Sequence, residues 1–143
     1  TCWELLSTGQ TLLAAAANGL FQVDNPNGAP IKIDDVQTFR VSLSSIFPGH
    51  AWRASEKGLA ARIIKDNRWI AGYNYKEIDT GIRNVVEDPA GFLWLISSGG
   101  NIIRVDFPLG IARPPVIKHC DLENKLCDGD IYVNIVEGHV VFA

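Results

Sequence analysis

Hydrophobic residues occur along this chain in short runs of four to seven, and glycine, proline, asparagine or aspartate separates one run from the next. Short runs bounded by turn-forming residues are typical of β-strands, whereas an amphipathic helix repeats its hydrophobic positions every three or four residues. Asn18-Gly19 suits a tight hairpin turn, and Asp88-Pro89-Ala90-Gly91 suits a type I turn. The pattern therefore predicts an all-β protein.

The runs also resemble one another at a regular spacing. A strand, a polar or glycine-containing turn and a second strand recur four times, with the turns aligned at Gly19, Gly58, Asn101 and Gly138. Successive turns are 39, 43 and 37 residues apart. A period of this size with several strands per unit is typical of a β-propeller blade. The sequence thus predicts a β-propeller segment of about three and a half four-stranded blades.

The segment is predicted to be one partial propeller domain whose units span approximately residues 1–38, 39–78, 79–119 and 120–143. The predicted strands are Cys2–Leu6, Thr11–Ala16, Leu20–Asp24 and Ile31–Val36; Arg40–Ile46, Ala51–Ser55, Leu59–Lys65 and Arg68–Tyr73; Ile82–Glu87, Phe92–Ile96, Ile102–Phe107 and Val116–His119; then Lys125–Cys127, Ile131–Ile135 and His139–Ala143. The first strand of each unit is expected to be innermost, and the last unit lacks its outer strand. Trp52, Trp94 and Tyr132 are expected to fill the space between adjacent blades.

The composition and charge of the chain argue against some classes of function. With 143 residues, 47% of them hydrophobic and 20% charged, the chain has the make-up of one globular domain. Its net charge of −3 and its scattered Lys and Arg argue against binding to nucleic acid. No hydrophobic run approaches the roughly 18 residues of a membrane helix, and no leader is visible. Because methionine is absent, we interpret the chain as a piece of a longer protein.

One tripeptide suggests an enzyme. Asp79-Thr80-Gly81 is the sequence that carries the catalytic carboxylate of aspartic proteases, which need two such groups and hence a dimer here. Those proteases follow the triplet with a small Ala or Ser, but this chain has Ile82. We prefer to interpret the triplet as a turn into an inner strand, so that the module is not an enzyme. A homodimeric aspartic protease using Asp79 remains an alternative.

Metal and redox chemistry have little support in the sequence. The three histidines fall at different places in their units, and Asp128-Gly129-Asp130 is not followed by the remaining ligands of a calcium loop. We therefore predict no metal site and no cofactor. Cys120 and Cys127 are separated by six residues, which allows either a local disulfide or two free thiols.

The stretch from Ile82 to Asp106, IRNVVEDPAGFLWLISSGGNIIRVD, resembles the two-component regulator propeller repeat. That repeat has an apolar strand, Glu-Asp-x-x-Gly-x-Leu-Trp, a second apolar strand, Gly-Gly, and a strand ending near Asp. LLAAAANGLFQVD and AWRASEKGLAARI are similar to its second and third strands and keep the Gly-Leu pair. The full motif is present once; the second unit has Phe47-Pro48-Gly49 where Asp-x-x-Gly is usual.

The resemblance implies a sensor. Such propellers form the periplasmic or other extracytoplasmic ligand-sensing part of bacterial membrane-anchored regulators, and in one large subgroup the ligands are oligosaccharides. It implies a non-catalytic module. From the charge and hydrophobicity of the segment we expect no nucleic-acid or membrane contact, and because repeat units need neighbours to cover their apolar faces, we expect its partners to be the remaining blades of a longer chain or a second copy. The sequence contains no kinase or DNA-binding output motif. A propeller that serves as a protein-interaction scaffold is the alternative.

A ligand site on such a propeller is expected at the rim, because loops on a rigid scaffold carry function. Turns between the second and third strands would meet there with connections from the fourth strand to the next unit. The segment GYNYKE combines aromatic, amide and charged groups of the kind that hold sugars, although an ordinary solvated loop has the same composition. The predicted ligand-binding residues are Glu56, Lys57, Tyr73, Asn74, Tyr75 and Lys76.

Overall fold

The structure is a computed structural model, and it describes residues 1–120 and 132–143. The first unit contains β1 (Cys2–Ser7), β2 (Leu12–Ala16), β3 (Gly19–Val23) and β4 (Ile31–Asp34), and the second β5 (Thr38–Leu43), β6 (His50–Ser55), β7 (Gly58–Lys65) and β8 (Arg68–Asn74). The third contains β9 (Ile82–Glu87), β10 (Leu93–Ser97), β11 (Ile102–Asp106) and β12 (Val116–Cys120), and the fourth β13 (Val133–Val136) and β14 (His139–Phe142). Over the described ranges, no helix is long and apolar enough to cross a membrane.

Each of the first three units is a four-stranded antiparallel meander, in which every strand pairs with the next in sequence. The fourth unit contributes the two-stranded sheet β13–β14. Strand β5 contacts β1 and β2 of the first sheet, β9 contacts β5 and β6 of the second, and β13 contacts β9 and β10 of the third. The sheets therefore pack face to face with their first strands inside. This is a β-propeller segment of about three and a half blades, and the predicted fold class is confirmed.

The ends of the predicted and observed strands agree to within three residues, and two of the differences are informative. The strand predicted at Arg40–Ile46 runs instead from Thr38 to Leu43. It ends early because Ser45 and Ile46 donate their backbone N–H groups to the carboxylate of Glu87 instead of to a neighbouring strand. The strand predicted at Ile131–Ile135 begins at Val133, and the one at Lys125–Cys127 lies outside the described residues.

Hydrophobic side chains fill the space between successive sheets. Trp52 is fully buried between the second and third sheets and stacks on Phe107, with 5.1 Å between ring centroids. Trp94 packs edge-on against Phe142 of the fourth sheet at 5.7 Å, as expected of a side chain between blades. The same expectation for Tyr132 stays a prediction, because its side chain is 56% exposed and the sequence contains no blade after the fourth to pack against it. It precedes β13, where alternation of side chains turns the next residue, Val133, into the core.

Two of the interfaces between successive sheets hold a buried polar link. Between the first and second sheets, the side chain of the fully buried Gln22 accepts a hydrogen bond from the backbone N–H of Trp69 at 2.8 Å. It also donates one to the carbonyl oxygen of Asn67 at 2.8 Å. Between the third and fourth, Asn84 donates to the carbonyl oxygen of Val133 at 3.1 Å. Buried hydrogen bonds require one relative placement of their partners, so these links fix how neighbouring blades sit.

The first strand of each complete sheet carries the same irregularity. Its pairing register skips one residue, namely Trp3 in β1, Phe39 in β5 and Arg83 in β9. These three residues line one groove of about 320 Å³ together with residues such as Glu4 and Asn84. A bulge re-aims the side chain of the residue that the strand register skips. The three repeats therefore share a backbone defect as well as a sequence pattern.

The Gly-Leu pair at the turn between the second and third strands has a steric cause. Gly19 and Gly58 adopt φ angles of +139° and +104°, which L side chains rarely adopt. A Cβ atom at Gly19 would overlap the carbonyl oxygen of Asp34, and one at Gly58 would overlap that of Ile78. Both carbonyls belong to the backbone at or after the fourth strand of the same sheet. Glycine is thus required where this turn lies against the connection to the next blade.

We expect Gly58→Ala to lower the free energy of unfolding by about 2–4 kcal/mol, since it adds both backbone strain and a clash. Gly9→Ala is the matched control, because Gly9 has a similar φ of +96° but no atom within 4 Å of the added Cβ. That variant should lose only about 1 kcal/mol from strain. Urea unfolding of both proteins measures the difference. Equal losses would show that the contact with Ile78 is not limiting.

Candidate ligand-binding cleft

A cavity of about 590 Å³ opens at the rim of the propeller, between the first and second sheets. The β6–β7 turn lines one side of it with Glu56 and Lys57. The end of β8 and the β8–β9 connector line another side with Asn74, Tyr75, Lys76, Ile78 and Asp79. The end of β4 contributes Asp34 from the first sheet. We refer to this cavity as the rim cleft.

Five of the six predicted site residues line the rim cleft; they are Glu56, Lys57, Asn74, Tyr75 and Lys76. The sixth, Tyr73, lines an adjacent cavity of about 370 Å³ together with Ala112 and Arg113. The two kinds of loop that were expected to meet at one rim do meet there. Glu56, Lys57, Asn74 and Lys76 are exposed and open to a ligand. That they bind one stays a prediction.

Tyr75 has a different environment from the other five. Its ring is only 6% exposed and lies 5.0 Å from that of Phe107, centroid to centroid. Its hydroxyl donates to the carbonyl oxygen of Ile111 at 2.9 Å. Burial, with a smaller contribution from nearby Tyr73, raises the pKa of Tyr75 well above its ordinary value. We infer that Tyr75 anchors the β8–β9 connector to the core and presents little ring surface to a ligand.

The sequence analysis missed three charged residues in the cleft. Arg53 lies in β6 and Arg62 in β7, and they are only 4% and 3% exposed. Asp34 Oδ2 accepts from Arg53 Nη1 at 2.8 Å, from Arg62 Nη2 at 2.8 Å and from Arg62 Nε at 3.1 Å. Arg62 Nη1 also donates to the carbonyl oxygen of Ala61 at 3.0 Å. Two guanidinium groups of the second sheet thus share one carboxylate of the first.

The strand register explains how both arginines reach this position. Arg53 pairs with Ala60, and Arg62 pairs with Ala51, so both side chains stand on the same face of the β6–β7 hairpin. Ala51 belongs to the hydrophobic core against the first sheet, which identifies the face. An arginine within a largely apolar hairpin could have been recognised in the sequence as one member of an ion pair, because a buried charge requires a partner. Asp34, the partner of both arginines, belongs to the first unit and lies about 20–30 residues earlier in the chain, so the pairing could not be predicted from the sequence.

The charge at the floor of the rim cleft is not balanced. Burial and the neighbouring charge of Arg62 lower the pKa of Arg53, while the pairing with Asp34 opposes that change. The Nε–H of Arg53 is buried and has no hydrogen-bond partner within residues 1–120 and 132–143. Arg53 is therefore incompletely paired, in a cavity that reaches the solvent.

Other candidate chemistry in the sequence has less structural support. Asp79 is exposed at the cleft, and the chain runs directly from Asp79-Thr80-Gly81 into β9. In the part of the chain that the structure describes, no three His, Cys, Asp or Glu side chains are grouped so as to hold a metal ion. Asp128, Asp130 and Cys127 lie outside the described residues.

The class of protein that these observations define is an all-β propeller segment with a charged cleft at its rim. Comparisons of the chain with protein-family models, with curated proteins and with solved structures found no match. The resemblance to the two-component regulator repeat thus stays a prediction from sequence motifs.

Proposed function

We propose that this chain is a non-catalytic ligand-sensing propeller module of a bacterial two-component type regulator, exposed to the periplasm or exterior, with oligosaccharides as its ligand class. The observation that carries the proposal is the rim cleft, where loops of a rigid scaffold converge. Its volume of about 590 Å³ is within the usual range of about 300–1,000 Å³ for small-molecule sites. The motifs that resemble the regulator repeat supply the biological context.

The groups at the mouth of the cleft suit a ligand rich in hydroxyls. Lys57 and Lys76 supply donors, Glu56 supplies acceptors, and the amide of Asn74 supplies both. All four side chains are exposed, so a ligand would meet them before it reached the floor. Their backbone is held by the Tyr75 anchor and by the packing of Gly58 against Ile78. A polar surface on a fixed backbone favours specific binding.

The position of the cleft also suits signalling. Asp34 is the last residue of β4 in the first sheet and Val36 follows shortly after it, whereas Lys57 lies in the β6–β7 turn of the second sheet. A ligand that contacts both sheets stabilises one relative placement of the two blades, and such differential contact is what a sensor needs. Chain segments that continue from these blades would transmit the change.

A thermal-shift screen of glycan fragments tests the proposal. A bound fragment at 100 times its Kd adds about 2.7 kcal/mol of stability and should raise Tm by several degrees. Asn74→Ala should abolish the shift, whereas Asn27→Ala, an exposed position in the β3–β4 loop at the other rim, should keep it. A broad panel without any shift, combined with capture of a protein partner, would favour the scaffold alternative instead.

Exposed apolar side chains support the proposed partners, namely further blades or a second copy. Leu5 is 64% exposed and Leu12 is 38% exposed on the first sheet, and Val141 is 41% exposed on the fourth. Repeat units bury such faces against a neighbouring unit. Light scattering should give a mass above that of one chain; a monomer that binds no hydrophobic dye would contradict association of this piece.

A further inference from the structure

We infer that the rim cleft selects ligands that carry a carboxylate, so that its oligosaccharides contain uronate residues. This inference rests on the proposed function of the same cleft and adds the charge of the ligand. It starts from the Arg53–Asp34–Arg62 cluster, which the sequence analysis did not find.

The cluster carries one unbalanced positive charge. Within the described ranges, the ion pairs of both arginines go to the single carboxylate of Asp34. A guanidinium group removed from water is stable only when its charge and its donors are matched. Asp34 supplies one negative charge for two positive ones. A second carboxylate at this place would restore neutrality.

The hydrogen bonds of the two arginines lead to the same conclusion as their charges. Arg62 donates from Nε, Nη1 and Nη2, so its fork is well used. Arg53 donates to Asp34 from Nη1, but its buried Nε–H has no acceptor among the described residues. The large majority of buried polar side-chain atoms are paired in native proteins. A planar carboxylate matches the guanidinium fork better than a hydroxyl does.

The mouth of the cleft permits an anion to enter. The described lining residues include four cationic and three anionic side chains, in a chain whose net charge is −3; the cationic ones are Arg53, Lys57, Arg62 and Lys76, and the anionic ones are Asp34, Glu56 and Asp79. At the exposed mouth two Lys face two acidic groups, so the excess charge is at the floor. An acidic group on a sugar is drawn there while the sugar hydroxyls meet the mouth.

The direct test compares two ligands that differ only in charge, an oligogalacturonate and its fully methyl-esterified form. Isothermal titration of the unmodified protein should give at least tenfold tighter binding to the acid than to the ester. Raising NaCl from 50 to 200 mM should weaken binding of the acid and leave that of the ester nearly unchanged. Equal affinities for acid and ester would overturn the inference.

Two variants locate the effect. Arg53→Lys keeps the charge but removes the fork, and affinity for the acid should fall tenfold or more while affinity for the ester is retained. Lys57→Gln, at an exposed position, keeps the inference testable if Arg53→Lys does not fold. Because glutamine keeps a donor for hydroxyls but loses the charge, it should weaken binding of the acid a few-fold more than binding of the ester. Lys65→Gln makes the same charge change at the opposite end of β7 and should leave both affinities unchanged.

The outcomes also separate this inference from the proposed function. Neutral oligosaccharides that stabilise the protein as strongly as the acid does, in a way that Asn74→Ala abolishes, would keep the sensing role and overturn the acidic specificity. Competition by inorganic phosphate at the same concentration as the acid would also overturn it, since the site would then bind simple anions. No binding by any fragment would overturn both.

Discussion

Replacing Asp34 by asparagine is expected to lower the free energy of unfolding by about 3–5 kcal/mol, the typical loss when one partner of a buried ion pair is removed. The substitution leaves Arg53 and Arg62 without their shared carboxylate, although both are more than 95% buried. Asparagine has nearly the same shape and keeps the Oδ1 acceptor that Asp34 offers to the N–H of Val36. The loss therefore reports the charge and not the volume.

Asp35→Asn is the matched control for this prediction. Asp35 follows directly in sequence and is exposed, so its substitution should change the free energy of unfolding by no more than about 0.5 kcal/mol. Urea unfolding of the three proteins at pH 7 measures the effect. If Asp34→Asn were as stable as the wild type, the two guanidinium groups would have to be solvated, and the charge argument for the rim cleft would fail with it.

Glu87→Gln is the second substitution with a large expected effect, a loss of about 2–3 kcal/mol. The Glu87 carboxylate accepts hydrogen bonds from Ser44 Oγ at 2.6 Å, Ser45 N at 2.7 Å, Ser45 Oγ at 2.6 Å, Ile46 N at 3.3 Å and Trp52 Nε1 at 2.9 Å. It thereby ties the β5–β6 loop of the second sheet to β9 of the third. Glutamine would turn an NH₂ group toward donors, so some of these bonds must break.

Glu77→Gln is the control, since Glu77 is exposed, and it should be neutral to within about 0.5 kcal/mol. Chemical unfolding and near-ultraviolet circular dichroism, which senses the buried Trp52, measure the change. An unaltered Trp52 signal together with wild-type stability would show that the five hydrogen bonds do not hold the two blades together.

The same carboxylate predicts a dependence on pH. Burial alone would raise the pKa of Glu87, but the hydrogen bonds from Ser44, Ser45 and Trp52 outweigh it, so the pKa in the folded protein lies below the ordinary 4.5. A depressed carboxyl pKa stabilises the folded state above the unfolded pKa, and this contribution is lost as pH falls through the folded pKa. The difference in unfolding free energy between wild type and Glu87→Gln should be constant from pH 7 to about 5.5 and shrink below about pH 4.5. A difference that grows on acidification would contradict this sign.

The architecture could be predicted from the sequence because the residues that recur in each unit are required by contacts within that unit or between neighbouring blades. The turns at Gly19 and Gly58 need glycine for steric reasons, so the same letters recur at the same place in two units. Trp52 and Trp94 are large side chains between blades, and their spacing could be read directly. Tyr132 follows the same spacing but lies one residue outside its strand. One residue of offset reverses the direction of a side chain, and sequence alone fixes strand ends less well than that.

The rim cleft was only half visible in the sequence. Loop residues such as Lys57 and Asn74 could be nominated, because topology places those loops together whatever their conformation. The burial of Tyr75 could not be foreseen, since it depends on Phe107 and Ile111 from the next sheet. Asp34 was missed for the same reason, because its partners come from the following unit. Contacts between repeats, unlike contacts within one, leave no fixed spacing to find.

The bulges at Trp3, Phe39 and Arg83 have an evolutionary consequence. Each of the three complete blades projects one side chain from this bulge into the groove of about 320 Å³, and these side chains are an indole, a phenyl ring and a guanidinium group. Since the kinked residue lies outside the pairing register, its exchange leaves the ladder of its sheet intact. The lining of this groove can therefore change one blade at a time while the strand pairing around it is kept.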